Sequence, residues 1–439
     1  MGSAVPRAVV LADSDSRWKW AALVARQLAP KHALDARFLQ TSTTPTERQI
    51  AEAGVVPDTS KVVGYGELLD DPALAEADLV VLGTIGGTAL ALIHSLGMAW
   101  DGGSRRPVVV SGYVGVVYEN LVDGLLLRVG SDMVLANSPH DATLFREIYR
   151  GVGADPYTVV EAGLPFLGGQ RYDPSAVGRG DRRFTVCFAV QPTVPAGRAA
   201  RAGMLDKLQR HARRHPDRDV LLKLRTRDGE TTSRLERYPY RTLFEELPDP
   251  PPNLTVAHGA MGDVLDRTDL LVTVSSTAAM ESIHRGIPTA ILTDYGIREA
   301  HGNHFFAASG ALASWVQLDE GLVPRASASW ATAHGLGGGD AFTAARAQFA
   351  QLRSRVTLPR MRPFYTQQNA SEYLESLLSR HGLGLSGRPL PSALPASPTA
   401  VRKLIQRGAG GLYRVGRRRV APVIRRLAQA DTADPARLR

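Results

Sequence analysis

Three consecutive hydroxyl residues, Ser275, Ser276 and Thr277, stand between an apolar run (270–274) and a stretch with helical spacing (278–286). Gly286 can end that helix, Pro288 prevents its continuation, and 289–293 is a second apolar run. The order is strand, turn, helix, strand. It puts the hydroxyls at the carboxyl end of a strand and the amino end of a helix. Open α/β sheets bind ligands there, and the helix dipole favours an anion such as phosphate. A plainer use is also open, in which Ser275 or Ser276 caps an ordinary crossover helix. Glu281 sits about one turn into the helix and can pair with Arg285 four residues later.

Other polar groups fall at strand ends. Alternation in 220–225 places Lys223 and Arg225 on one face, with Leu222 and Leu224 opposite. Cations there can offset phosphate charge in the same crevice, or form a solvated pair. His301 and His304 follow the 289–293 run. His304 can protonate or hydrogen-bond a leaving phosphate, or serve as polar surface. Asp13 and Asp15 follow the first apolar run, 7–12, and suit the capping and turn cluster of the next helix. The 84–88 stretch (Thr-Ile-Gly-Gly-Thr) is neither a Walker A nor a Gly-x-Gly-x-x-Gly run, so ATPase and NAD(P) chemistry lack motif support.

The elements that must position these residues alternate. Candidate strands lie at 7–12, 36–40, 61–63, 78–83, 107–110, 132–137 and 159–165, with helices at 17–28, 88–96 and 138–151. A Gly-, Pro- and Arg-rich stretch then opens a second series, with strands at 184–190, 220–224, 254–257, 270–274 and 289–293. Strands alternating with helices imply parallel sheets. The expected organisation is a first α/β domain (1–168), a linker (169–183) and a second α/β domain (184–340). A helical region (341–382), a Pro/Gly/Ser-rich linker (383–400) and a basic tail (401–439) follow.

Composition limits the partners. The formal charge is +9, and the acid-free run 401–427 carries that excess alone; the rest of the chain balances. A high pI here describes a tail and not a folded nucleic-acid surface, so no specific nucleic acid is expected. The tail's arginines suit an anionic membrane surface, at about 1 kcal/mol per basic residue. Only six of the 52 basic residues are lysine, a bias of genome composition more than of function. No stretch resembles a signal peptide or a membrane span, and the single cysteine, Cys187, lies in an apolar run. A reducing cytoplasmic setting fits, with the tail placing the protein on the inner face of the plasma membrane.

Two open α/β domains facing a cleft resemble the GT-B glycosyltransferases, and the likeness is sharpest at 270–293. Nucleotide-sugar transferases of that fold carry a strand, a Ser/Thr turn, a helix with an internal Glu, then Gly-x-Pro. Ser275 to Thr277, Glu281 and Gly286-Ile287-Pro288 match in order and spacing. The chain as a whole resembles an actinobacterial family of glycosyltransferases. The resemblance implies an α/β GT-B fold, a nucleotide-sugar co-substrate and no metal or other cofactor. Ser275, Ser276 and Thr277, with Lys223 and Arg225, would hold the donor phosphate, and Glu281 the ribose hydroxyls. Asp15 or Asp13 would be the base that takes the acceptor proton. His94 and Glu119 are weaker acceptor-side candidates. Bacterial sialyltransferases and capsule transferases share the Ser-Ser motif, which points to a CMP-linked nonulosonic acid and a cell-envelope glycan or lipid-linked acceptor. Their Lys/His-Pro motif has no counterpart in place; His215-Pro216 precedes its strand. Asp13-Ser-Asp15 also resembles the opening motif of haloacid-dehalogenase-like phosphatases, in which the first Asp forms an aspartyl phosphate. The required later acidic pair is not found. A non-catalytic nucleotide- or sugar-binding protein of the same shape is the remaining alternative.

Overall fold

A computed structural model describes residues 5–101, 105–116, 120–180, 182–192, 194–224 and 236–391. The chain divides into a body, Met1–Pro389, and a second unit, Leu390–Arg439. Arg225, Glu119 and the basic run 401–427, with its expected membrane contact, lie outside the described residues.

The first half of the body forms a seven-stranded parallel sheet. Its strands are β1 (Arg7–Ala12), β2 (Ala33–Leu39), β3 (Thr59–Val63), β4 (Leu79–Gly83), β5 (Val108–Gly112), β6 (Met133–Ala136) and β7 (Val159–Glu161). Their order is β3-β2-β1-β4-β5-β6-β7. Strands that read as near-continuous apolar runs must be covered on both faces. In β1, Ala8, Val10 and Ala12 join one core cluster, while Val9 and Leu11 join another on the opposite face. The helix Asp15–Leu28 returns the chain from β1 to β2 and buries Trp18 in the first cluster.

The second sheet repeats this plan with six parallel strands: β8 (Phe184–Ala189), β9 (Arg218–Lys223), β10 (Leu254–Ala257), β11 (Leu270–Thr273), β12 (Thr289–Leu292) and β13 (Leu312–Ala313). The order is β10-β9-β8-β11-β12-β13. Val186, Phe188, Leu222 and Val272 fill one face; Cys187, Leu221, Leu271 and Ile291 fill the other. Burial raises the Cys187 thiol to about 12, so it stays an inert core residue. In both sheets the strand order reverses beside the first strand, between β1 and β4 and between β8 and β11. Ligand crevices open at such switch points, outside the carboxyl ends of the strands.

The last helices cross back to the first sheet. Phe342 and, on the helix Thr343–Arg353, Ala345, Phe349 and Leu352 join the same cluster as β1 and β5. Burying side chains such as Phe349 and Leu352 contributes about 1.5–3 kcal/mol each. The helix Gln367–Arg380 packs Leu374, Leu377 and Leu378 on Leu90 and Ala91 of the helix Gly86–Ala99. Residues expected to begin a flexible linker are held in place as well. Leu383 is buried, and the Leu385 carbonyl lies 2.9 Å from His94 Nε2. Among the described residues no helix is long and apolar enough to cross a membrane.

Candidate active site

The hydroxyl turn sits at the second switch point, at the carboxyl end of β11. Its shape comes from a chain of hydrogen bonds. Thr273 Oγ1 donates to the Ala189 carbonyl at 2.8 Å and accepts from the Ser276 N–H at 3.3 Å. Gln191, two residues beyond β8, clamps Ser275 with both ends of its amide. Its Oε1 accepts from the Ser275 N–H at 2.8 Å, and its Nε2 donates to Ser275 Oγ at 3.0 Å. Ser275 Oγ in turn donates to the His301 carbonyl at 2.5 Å. Ser275 is buried and its hydroxyl proton is already committed. It shapes the turn. Ser276 Oγ accepts from the Ala278 N–H at 3.2 Å, which satisfies one open donor of the helix Ala278–Arg285. That helix ends on Gly286, at a φ of 81° that favours glycine.

Thr277 is the half-buried residue of the turn whose hydroxyl and N–H have no partner among the described residues. It faces the first domain. A Cβ on Gly115, in the loop after β5, would lie 3.3 Å from Thr277 Oγ1. Asn137 fixes that loop by donating from Nδ2 to the Tyr113 and Gly115 carbonyls, both at 2.9 Å. Val116 is buried in the core cluster that holds Ala278 and Ala279. A hydroxyl and an N–H without partners among the described residues, and a helix amino end, therefore meet beside Gly115, which has no side chain, a combination suited to an anion.

Glu281 lies four residues after Thr277, on the same helix face. It is 8% exposed, and burial raises its carboxyl above the ordinary range; the charges of Lys19 and Arg285 offset only part of that rise. The pair with Arg285 that the spacing allows does not form. Arg285 instead donates to Asp266 Oδ1 at 2.5 Å and to the Gly262 carbonyl at 3.1 Å. Lys19 reaches toward Glu281 from the first domain, on the helix Asp15–Leu28, with its Nζ 5.7 Å from the Phe166 ring centre.

At the first switch point, Asp13 is a structural tie. Its Oδ2 accepts from the Ile85 N–H at 3.0 Å, and its Oδ1 accepts from Arg17 Nε. The Asp13 carbonyl accepts from Thr43 Oγ1 at 2.7 Å, which joins the ends of β1, β4 and β2. Asp15, half-buried in the first turn of its helix, is one turn before Lys19. Ser14 Oγ and Thr84 Oγ1 are buried beside Asp13 and Ile85 in the chain, with no hydrogen-bond partner among the described residues.

Among the described residues, His304 and His94 make no hydrogen bond to the turn. Lys223 is buried and donates to the Leu224 carbonyl at 2.6 Å, on the Cys187 face of β9, one strand further from β11 than β8. His304 is exposed on the 3-10 segment Asn303–Phe306. His301 touches the turn, through its carbonyl. His94 lies about two turns from the amino end of its helix, bound to Leu385. Gln191, Lys19, Gly115 and Asn137 were missed by sequence reasoning. Their roles depend on which strands and loops become neighbours. His381 was missed as well. It is half-buried, packed 5.0 Å from the Tyr65 ring, with burial lowering its pKa. Burial raises the Tyr65 phenol to about 12.

Two parallel Rossmann-like sheets, their carboxyl-end crevices facing each other across Gly115 and Thr277, define a protein of GT-B-like fold. The chain belongs to the family described as "Putative glycosyltransferase (DUF6716)", whose model matches residues 8–352. No curated protein matches it. Similar solved structures include UDP-GlcNAc 2-epimerase from Methanocaldococcus jannaschii, at 13% identity, TM-score 0.48, covering 80% of this chain and 99% of that one. Another is UDP-GlcNAc 2-epimerase from Neisseria meningitidis bound to UDP-GlcNAc, at 11% identity, TM-score 0.42, covering 85% and 100%. A third is a UDP-glucosyltransferase from Polygonum tinctorium, at 11% identity, TM-score 0.43, covering 88% and 97%.

Proposed function

We propose that the protein is a metal-independent glycosyltransferase that moves a sugar from a nucleotide donor to a cell-envelope glycan or its lipid-linked precursor. A CMP-linked nonulosonic acid is the favoured donor, on the strength of the Ser-Ser motif. The observation that carries the reading is Thr277. Its hydroxyl and N–H have no partner among the described residues, at the amino end of a helix, at a topological switch point, facing the other domain.

In this reading Thr277 and the helix amino end hold the donor phosphate, Ser275 and Ser276 shape the turn, and Glu281 accepts hydrogen bonds from the ribose hydroxyls. Asp15 takes the proton of the acceptor hydroxyl as that oxygen attacks the anomeric carbon. The bond from that carbon to the phosphate oxygen breaks, and the phosphate leaves with the electron pair. Preplaced donors stabilise the charge as it develops there. Asp13 holds the strand ends together, with both carboxylate oxygens engaged.

The test is a thermal-shift panel of CMP, UDP, GDP and CDP on the full chain, followed by turnover of the matching sugar nucleotides. A ligand at 100 times its Kd stabilises by about 2.7 kcal/mol. One nucleotide is expected to stand out, and its sugar conjugate to be consumed. Binding without consumption, under every acceptor tried, would instead identify a nucleotide-binding protein. Mg²⁺-dependent hydrolysis of a generic phosphate ester, lost in Asp13→Asn, would favour the phosphatase reading.

A further inference from the structure

We infer that His211, His215 and Asp319 form a site for one divalent transition-metal ion of the zinc class, which ties the helix Arg198–Arg214 to the helix Trp315–Asp319. The site is remote from the proposed chemistry. The helix Arg198–Arg214 leaves the carboxyl end of β8 and returns to the amino end of β9, so its last turn lies at the edge opposite the crevice.

Several independent observations converge on these residues. His211 lies in the last turn of the helix, and His215 is the residue that caps it, its N–H donating to the His211 carbonyl at 3.0 Å. One ligand atom from each of the two histidines and from Asp319 falls within 4.8 Å of the others. Tetrahedral zinc, at about 2.0–2.1 Å from its ligands, needs those atoms only about 3.3 Å apart, so a small closure suffices. The rings of His211 and His215 are already 4.6 Å apart, and His211 Nδ1 is 2.8 Å from Asp319 Oδ1. His211 is fully buried, yet its Nε2 has no hydrogen-bond partner among the described residues. His215 Nε2 is likewise buried without one. Buried polar atoms are rarely left unsatisfied. His211 turns Nδ1 toward Asp319, so Nδ1 is its ligand atom for a shared ion, and of the two unsatisfied nitrogens it is His215 Nε2 that calls for that ligand.

The surrounding charges select the kind of ion. Arg210 Nε donates to Asp319 Oδ2 at 3.0 Å, and Arg218 also faces the cluster, with Asp217 as the further acid nearby. Two guanidinium groups against two carboxylates leave little negative potential. A hard cation held by charge and oxygen ligands, Mg²⁺ or Ca²⁺, is therefore disfavoured. An ion held by imidazole nitrogen, such as Zn²⁺ or Co²⁺, is not.

The experiment uses the full chain, stripped with EDTA and then titrated with ZnCl₂ by calorimetry and thermal shift. CoCl₂ adds a strengthened, red-shifted visible absorption band as a signature of an ion taken from water into a low-coordinate protein site. One ion per chain and a rise in Tm reversed by EDTA are expected, with no rise from MgCl₂. His215→Ala, at a half-buried position, and Asp319→Asn should each weaken zinc binding at least about 10-fold. If Asp319→Asn does not fold, His215→Ala decides. No stoichiometric ion in the wild-type chain would overturn the site, leaving a hydrogen-bonded His–Asp clamp. Undiminished zinc binding in His215→Ala, or equal stabilisation by Mg²⁺, would overturn it too.

Discussion

Thr277→Val isolates the hydroxyl on which the donor site depends. Valine keeps the branched shape and loses the donor. No described residue hydrogen-bonds that hydroxyl, so no internal contact is broken. Stability should therefore change by no more than about 0.5 kcal/mol. A hydrogen bond to a charged phosphate contributes about 1.5–3 kcal/mol, and about 1.4 kcal/mol is a factor of ten, so the nucleotide Kd should rise about 10- to 150-fold. Calorimetry with the nucleotide selected by thermal shift reads this directly. Ser276→Ala provides the contrast. Its hydroxyl caps the Ala278 N–H, so its loss should cost about 1 kcal/mol of stability. Unchanged nucleotide affinity in Thr277→Val would refute the assignment of the hydroxyl to the donor phosphate.

Glu281→Gln should weaken nucleotide binding yet raise Tm at pH 7. Burial raises the carboxyl's pKa, so the charged form costs stability above the folded-state value, and the cost fades as pH falls toward the ordinary 4.5. A Tm gain of the same size at pH 4 would contradict that cause. Asp15→Asn should lower kcat by about 10²–10⁴ with nucleotide Kd little changed, as expected of a general base; an unaltered kcat excludes the role. Ending the chain after Pro391 keeps the buried Leu383 and the His94 contact to Leu385, so Tm should hold while binding to anionic vesicles is lost. Vesicle binding retained by the shortened chain would leave the 401–427 run without a membrane role.

Much of the fold was legible because parallel strands bury both faces and so stand out as apolar runs. Strand 7–12 is read at both ends, and Gly286 and Pro288 mark the end of the crossover helix because each restricts the backbone in its own way. The turn's position was legible for the same reason; the use of its hydroxyls was not. Ser275 and Ser276 look equivalent in sequence. Only the pairing of β8 with β11 brings Gln191 to Ser275, and only the fold beyond β12 brings the His301 carbonyl. Glu281 and Arg285 have the spacing of a helix pair. Asp266, from another helix connection, takes the guanidinium instead, and Glu281 stays buried without that ion pair. Local spacing proposes such contacts, and tertiary neighbours decide them.

The measurement that bears most directly on the central claim is a structure of the full chain with the selected nucleotide bound. The account predicts phosphate oxygens within hydrogen-bond distance of the Thr277 N–H and Oγ1, and ribose hydroxyls on the Glu281 carboxylate. A nucleotide seated instead between β1 and β4, on Ser14 and Thr84, with Thr277 and Glu281 untouched, would contradict it.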